Sequence, residues 1–358
     1  MIISTVQHLR AFAISHSLFH PTTLGDAFNR LKFVQADPIR SPARAQDLIL
    51  RHRVQNYRAG DLELHYPNLD LEEDILYAYG FLTRDVCGWL HPRKMTELTE
   101  FEQEVLATVS RFGETHPKQL EEHFGRERVI NAWGGYSKAT TRALENLHYL
   151  GHLRIARRTG GIRIYETASS FNDSLSVIER LRKLILVISN VFAPVTMRCL
   201  QEAMAAFRRS LPEMVNTRAL IASLHESGEL ESQTIDGIRY LYPAGNLNRN
   251  EIPRRVRFLA PFDPLVWDRR RFEHFWGWAY RFEAYTPQTK RLRGYYAMPL
   301  LWGERIIGWA NVQVEQGALK VNLGYVERQP TELEFSRELE KEIEQLKTFL
   351  NIKNVLNL

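Results

Sequence analysis

Residues 147–153 read Leu-His-Tyr-Leu-Gly-His-Leu and residues 224–230 read Leu-His-Glu-Ser-Gly-Glu-Leu, the same frame 77 positions further on. A polar stretch follows each, then Gly-Ile-Arg with a tyrosine close behind, at Gly161–Tyr165 and Gly237–Tyr242. Ahead of each stands a proline opening a helical pattern, Pro117 before Lys118-Gln119-Leu120 and Pro194 before Val195-Thr196-Met197. Proline suits a first helical turn. Duplication at a fixed period constrains a fold more than any single motif, because each copy must repeat one supersecondary unit.

The unit's order follows from local signals. Phe101–Phe112, Pro117–Phe124 and Ser137–Leu150 carry helical spacing, with Ser137 as N-cap candidate and Gly151 as the stop. Two short strands follow, His152–Arg157 and Ile162–Glu166, joined through the paired glycines Gly160 and Gly161. Three helices and a hairpin is the order of a winged helix. The second copy spans about Leu175–Pro243, with its third helix near Met214–Ser227 and its hairpin around Asp236-Gly237. A weaker copy opens the chain: Val6–Phe19 is amphipathic, and His20-Pro21-Thr22-Thr23-Leu24 parallels His116-Pro117-Lys118-Gln119-Leu120. There the second helix, Thr22–Leu31, runs straight into Phe33–Asp37, where the other copies place a third helix and wing.

From Val256 onward aromatics become dense, and Tyr295–Leu301, Glu304–Val314 and Ala318–Tyr325 read as successive strands before a charged helix at Glu332–Leu350. The expected fold is therefore α+β: three tandem winged-helix units followed by a small antiparallel β-rich domain with a terminal helix. The expected boundaries are 1–100, 101–170, 171–250 and 251–358.

Composition narrows the class. At 44% apolar and 25% charged residues, the chain has the balance of a soluble globular protein. The most apolar run, Leu184–Ile188, is too short to span a bilayer, and Met1-Ile2-Ile3-Ser4 lacks the regions of a signal peptide, so a cytoplasmic location is expected. Two cysteines, Cys87 and Cys199, far apart in sequence, argue for buried thiols rather than disulfides or zinc. The histidines, among them His52, His91, His116, His123, His148 and His225, lack metal-ligand spacing, so no metal is expected. Neither a glycine-rich phosphate loop nor a Gly-x-Ser-x-Gly elbow occurs, which argues against a nucleotide cofactor and serine-hydrolase chemistry. The net charge of +5 mildly favours a polyanion.

Phe33-Val34-Gln35-Ala36-Asp37-Pro38 is the segment with chemical content. Pro38 pushes Asp37 toward extended backbone, and in an extended segment Gln35 and Asp37 point to one side with Val34 and Ala36 on the other. An amide beside a carboxylate holds and activates one water without metal or nucleophile. Taken alone, the segment reads first as a strand end before an Asp-Pro turn. Positive charge sits at Arg40 and Arg44 close by, and at Lys138, Arg142, Arg157, Arg158 and Arg163, where a third helix and wing would meet backbone phosphates. The second repeat copy, with Glu226, Glu229, Glu231 and Asp236, is poorer in such charge and suits structural work.

Gln35-Ala36-Asp37 resembles the Gln-x-Asp form of the motif in winged-helix DNA glycosylases of the AlkZ and YcaQ (AlkX) type, on the YcaQ-like side. Ala43–Leu48, Pro261–Arg271, Tyr280–Tyr285 and Gly294–Leu301 are similar to that family as well, so the resemblance spans nearly the whole chain. It implies hydrolysis of the N-glycosidic bond of N7- or N3-alkylated purines in duplex DNA. It extends to bulky adducts and interstrand crosslinks, with Asp37 as base, Gln35 orienting water, no cofactor and a monomer. Such a protein is nucleoid-associated when bound to DNA. Ala36 is smaller than the family's central apolar residue, and Leu76–Thr83 has neither the tryptophan nor the histidine that many relatives carry there. Two rival readings are a non-enzymatic winged-helix transcription regulator and a protein-binding scaffold, both indifferent to Gln35 and Asp37.

Overall fold

The Leu-His-x-x-Gly-x-Leu repeat is a helix stop. In a computed structural model that describes residues 3–93, 97–130, 136–169, 175–208, 215–245 and 252–355, the amides of Gly151 and His152 donate to the carbonyls of His148 and Leu147. The amides of Gly228 and Glu229 donate likewise to those of His225 and Leu224. Glycine is needed at both places, since φ is +84° at Gly151 and +77° at Gly228. The leucines that frame the repeat, Leu147, Leu153, Leu224 and Leu230, are all buried.

The first segment holds α1 (Val6–Ser17), α2 (Leu24–Leu31), β1 (Phe33–Gln35), α3 (Ala45–Leu50), α4 (Asp61–His65), β2 (Leu71–Ile75), β3 (Tyr79–Thr83) and α5 (Arg84–Leu90). Thr5 and Thr23 cap the first two helices by accepting the amides of His8 and Asp26. The three strands form an antiparallel sheet in the order β1-β3-β2.

Next come α6 (Glu100–Phe112), α7 (Pro117–Phe124), β4 (Arg128–Ile130), β5 (Tyr136–Lys138), α8 (Ala139–Leu150), β6 (Leu153–Thr159) and β7 (Ile162–Thr167). Thr99 and Glu102 form a capping box for α6. Ser137 is not the cap expected of it: it pairs with Val129 in the β4–β5 ladder, so α8 begins one residue later, behind Lys138. The second copy comprises α9 (Val177–Val191), β8 (Val195–Thr196), α10 (Met197–Arg208), α11 (Thr217–Glu226), β9 (Leu230–Ile235) and β10 (Ile238–Pro243). Met214, the expected start of its third helix, lies outside the described residues, as do Met1, Ile2 and the expected boundaries at 170/171 and 250/251. Both hairpins turn on two residues of positive φ, Gly160 (57°) with Gly161 (85°) and Asp236 (50°) with Gly237 (74°). That geometry matches strand twist.

The last segment contains β11 (Val256–Phe258), α12 (Pro264–Trp267), α13 (Arg269–Trp276), β12 (Met298–Trp302), β13 (Arg305–Glu315), β14 (Ala318–Tyr325), α14 (Leu333–Leu350) and β15 (Asn354–Val355). The antiparallel run β12-β13-β14 and the terminal helix match expectation, whereas β11 adds an antiparallel edge that was not expected and β15 a parallel one. The short helices α12 and α13 were not expected among so many aromatics. Asp263 and Asp268 start them by accepting amides at Leu265 and at Arg270 and Arg271.

The segments are not independent beads. One core joins Phe28 and Val34 of the first segment, Val105 and Leu147 of the second, and Phe258 and Phe335 of the last. Another joins Phe33 and Leu82 to Leu184 and Phe192. A buried ion pair fastens them further: Arg53 donates to Asp263 at 2.8 and 3.0 Å and to the Ser17 carbonyl at 2.9 Å, with neither charged side chain exposed.

Candidate active site

Strand β1 is placed by what its apolar residues need. Val34 and Ala36 pack into the core shared with α2 and α6, and Phe33 turns the other way against Tyr77, with ring centroids 4.7 Å apart. The alternation expected of an extended segment therefore holds for these residues. Opposite Gln35 in the ladder is Gly80, where a methyl group would sit 2.6 Å from Phe33 Cζ and closer still to the Val34 carbonyl oxygen. Only glycine lets β3 lie this near β1.

Gln35 and Asp37 both lie half-buried at the end of this strand. Gln35 Oε1 is buried and has no hydrogen-bond partner among the described residues. Asp37 Oδ1 accepts the Ile39 amide at 2.9 Å, and the Asp37 amide donates to Oε1 of the buried Gln46 at 3.4 Å. Burial raises the Asp37 carboxyl above its ordinary value, and the Ile39 amide only partly offsets this. A residue that sequence reasoning missed stands nearby. Tyr296, from the segment leading into β12, is buried with a hydroxyl that has no partner among the described residues, and burial first and then the Asp37 charge push it well above the usual tyrosine range.

The basic residues divide into two sets. Arg40 and Arg44 converge on the β6–β7 turn: a methyl group at Gly161 would lie 2.5 Å from Arg44 Nη2 and 3.8 Å from Arg40 Nη2. Arg44 also pairs with Glu63, and its guanidinium is made less basic by burial and then by the charges of Arg40 and Arg158. Arg40 and Arg142 are exposed. Lys138 holds Glu121 at 2.6 Å and Arg157 holds Glu114 at 2.7 Å, each with over two fifths of its side chain in solvent.

Arg158 and Arg163 instead turn inward. Arg158 grips both Glu73 oxygens, at 2.8 and 2.5 Å, and Arg163 lies 4.4 Å from the centre of the Tyr79 ring. Tyr79 in turn donates to Glu73 at 2.6 Å. The carboxylates responsible, Glu72, Glu73 and Asp74, are consecutive on β2 and all buried. Glu72 takes Arg154 at 2.9 Å, and Asp74 takes Arg93 at 2.8 Å and His91 at 2.9 Å. Three successive acids inside an apolar strand, with arginines at 154 and 158 on one hairpin strand, are the signal that could have revealed this seam.

Asp74, Cys87 and His91 bring oxygen, sulfur and nitrogen within 4.8 Å of one another. Their chemistry does not fit a metal. Burial and then the Asp74 charge push the Cys87 thiol well up, keeping it protonated. Burial alone would raise Asp74, but Arg93 and His91 outweigh it and hold the carboxylate ionised in an existing pair.

The model of the family described as DNA glycosylase AlkZ-like matches residues 28–349. Among solved structures, the chain is similar to the Streptomyces sahachiroi DNA glycosylase AlkZ, with a TM-score of 0.63 and 14% identity over 99% of each chain. At that identity the likeness is one of fold.

Proposed function

The chain belongs to the AlkZ-like DNA glycosylase family and is a hydrolase of N-glycosyl bonds; from that premise we propose that its substrates are N7- and N3-alkylated purines in duplex DNA. The observation that carries this reading is a half-buried carboxylate of raised basicity, Asp37, two residues from a buried carbonyl oxygen of Gln35 that has no partner among the described residues. A purine alkylated at N7 or N3 is a cation, so it leaves as a neutral base and needs no general acid. What remains to be supplied is a positioned water and a negative charge beside the sugar.

In this mechanism Gln35 Oε1 accepts one hydrogen of the water and Asp37 accepts the other as a proton. The water oxygen bonds to C1′ as the C1′–N pair departs with the base. Before transfer, the ionised Asp37 offsets the positive charge developing on the sugar. Asp37 is half-buried rather than enclosed, which supports acceptance of bulky adducts and interstrand crosslinks.

We read the two helix–helix–helix–hairpin segments as winged helices, and the first segment as a third unit with β1 in place of its wing, on the boundaries expected from sequence. Phosphate contacts are assigned to Arg40, Arg44, Lys138, Arg142 and Arg157. Arg158 and Arg163, committed to Glu73 and Tyr79, support the hairpin that presents them. A monomer acting on DNA in the cytoplasm accompanies this reading.

Incubating N7-methylguanine duplex with the wild type and Asp37→Asn, then cleaving abasic sites with alkali, tests the proposal. Full excision by the variant would sink it. Binding to one sequence without excision would return the protein to the regulators.

A further inference from the structure

Arg254, Arg255 and Arg257 form an arginine cluster that the proposed chemistry leaves unused. Arg255 and Arg257 line a cavity of about 720 Å³ between the end of α1, the 51–58 loop, β11 and α14. Its floor is apolar and buried, made of Phe19, Val54, Tyr57, Val256 and Phe349. Its rim is polar and exposed, with His20, Asn56 and Gln345.

The charges on this cavity do not balance. Four arginines line it, Arg51, Arg58, Arg255 and Arg257, against one carboxylate, Glu344, which is exposed and held by Lys347 at 2.8 Å. The buried Glu342 lies behind the wall and is already used, accepting from Arg51 and, at 2.8 Å, from the Phe258 amide. Arg257 Nη1 and Arg51 Nε are buried with no hydrogen-bond partner among the described residues. Donors on a guanidinium left unmade in a buried place are costly, and an anion is what satisfies them. The electrostatics agree: burial, opposed by Glu342 but reinforced by Arg255, Arg53 and Arg51, lowers the Arg257 guanidinium to about 10.

We propose that this cavity binds a phosphate monoester of nucleotide size, its phosphate on Arg257 and Arg51 and its organic part against Phe349 and Tyr57. The volume exceeds what inorganic phosphate fills, and the apolar floor suits a flat ring. Two sources present this chemistry: a free mononucleotide and the terminal phosphate of a DNA strand.

The test is calorimetric titration of the full chain with deoxyguanosine 5′-monophosphate, and in a second arm with short duplexes with or without a 5′-phosphate. The wild type should bind one or both phosphate probes saturably, and Arg257→Met should weaken that binding by at least about tenfold, the size of one lost charge-assisted contact. Arg257→Lys should recover part of it, and excision of N7-methylguanine should persist in both variants. Arg257→Met removes a half-buried guanidinium whose Nη1 has no partner among the described residues, so the melting temperature should be unchanged or raised. If Arg257→Met unfolds, Arg255→Ser on the exposed rim gives the same comparison with a smaller loss. The two arms tell the sources apart. Absence of saturable binding in both arms, or binding indifferent to Arg257 and Arg255, overturns the proposal. Neither result bears on Asp37, so it cannot be mistaken for failure of the excision chemistry.

Discussion

The Arg158 guanidinium meets Glu73 through two hydrogen bonds, Nε to Oε1 at 2.8 Å and Nη2 to Oε2 at 2.5 Å, joining the β6–β7 hairpin to the strand β2. Strand β3 lies between β2 and β1 in the sheet. The hairpin and the Gln-Ala-Asp segment are thus held against one three-stranded sheet, although some 120 residues separate them in sequence. Removing one partner of a buried pair strands the other, at a cost of about 3 kcal/mol or more. Glu73→Ala should lower stability by that order in urea unfolding, and adding Arg158→Met should restore part of it. An additive double variant would show that the pair is not coupled.

Asp37→Asn should reduce single-turnover excision of N7-methylguanine by about a hundredfold or more, the usual contribution of a positioned base. Burial raises the Asp37 carboxyl in the folded protein, so the folded state takes up a proton before the unfolded chain does. Ionisation there costs stability as pH rises through that window. The Asn variant should therefore melt no lower than the wild type at neutral pH, with any advantage vanishing below the ordinary carboxylate range. A large drop in melting temperature would mark Asp37 as structural.

The same shift sets a pH profile. Only ionised Asp37 accepts the proton, so excision should be full at neutral pH and fall as pH descends through a midpoint above the ordinary carboxylate value. Burst rates on a pre-bound duplex report this midpoint. A profile flat down to the ordinary aspartate range would exclude Asp37 as the titrating group.

Gly80→Ala should cost about 1–3 kcal/mol through overpacking against Phe33 and the Val34 carbonyl. Because those residues carry Gln35, excision should fall further than the folded fraction does. Equal losses in both would separate the sheet from the chemistry.

Gln35→Leu replaces a buried carbonyl oxygen that has no partner among the described residues with an apolar group of similar size. Stability should hold, while excision falls by about tenfold from a lost water contact worth ~1.5 kcal/mol. Unchanged excision would leave Asp37 to orient water alone.

What the chain reveals in one dimension is whatever is decided within a few residues. The Gly151 and Gly228 helix stops and the Gly160-Gly161 and Asp236-Gly237 turns are closed by partners a few positions away, so they were legible. The alternation in Arg305–Glu315 and Ala318–Tyr325 gave the strands for the same reason. Ser137 failed as a cap because it is taken up instead by pairing with Val129 in the β4–β5 ladder.

The site was half legible. Gln35 and Asp37 stood out by spacing and resemblance, but Tyr296 comes beside Asp37 from the far end of the chain. Arg158 and Arg163 read from sequence as phosphate contacts of a wing, but Arg158 is held by the buried Glu73, 85 residues earlier, and Arg163 lies over the Tyr79 ring. Asp263, inside one of the segments that resemble the family, likewise sits 210 positions from its partner Arg53. By itself the sequence marked the helix stops, the hairpin turns and Gln35 with Asp37 as the candidate pair for hydrolysing a glycosidic bond. Only the tertiary structure decided which charges face solvent and which are consumed inside, because desolvation depends on what packs above a side chain and not on what precedes it.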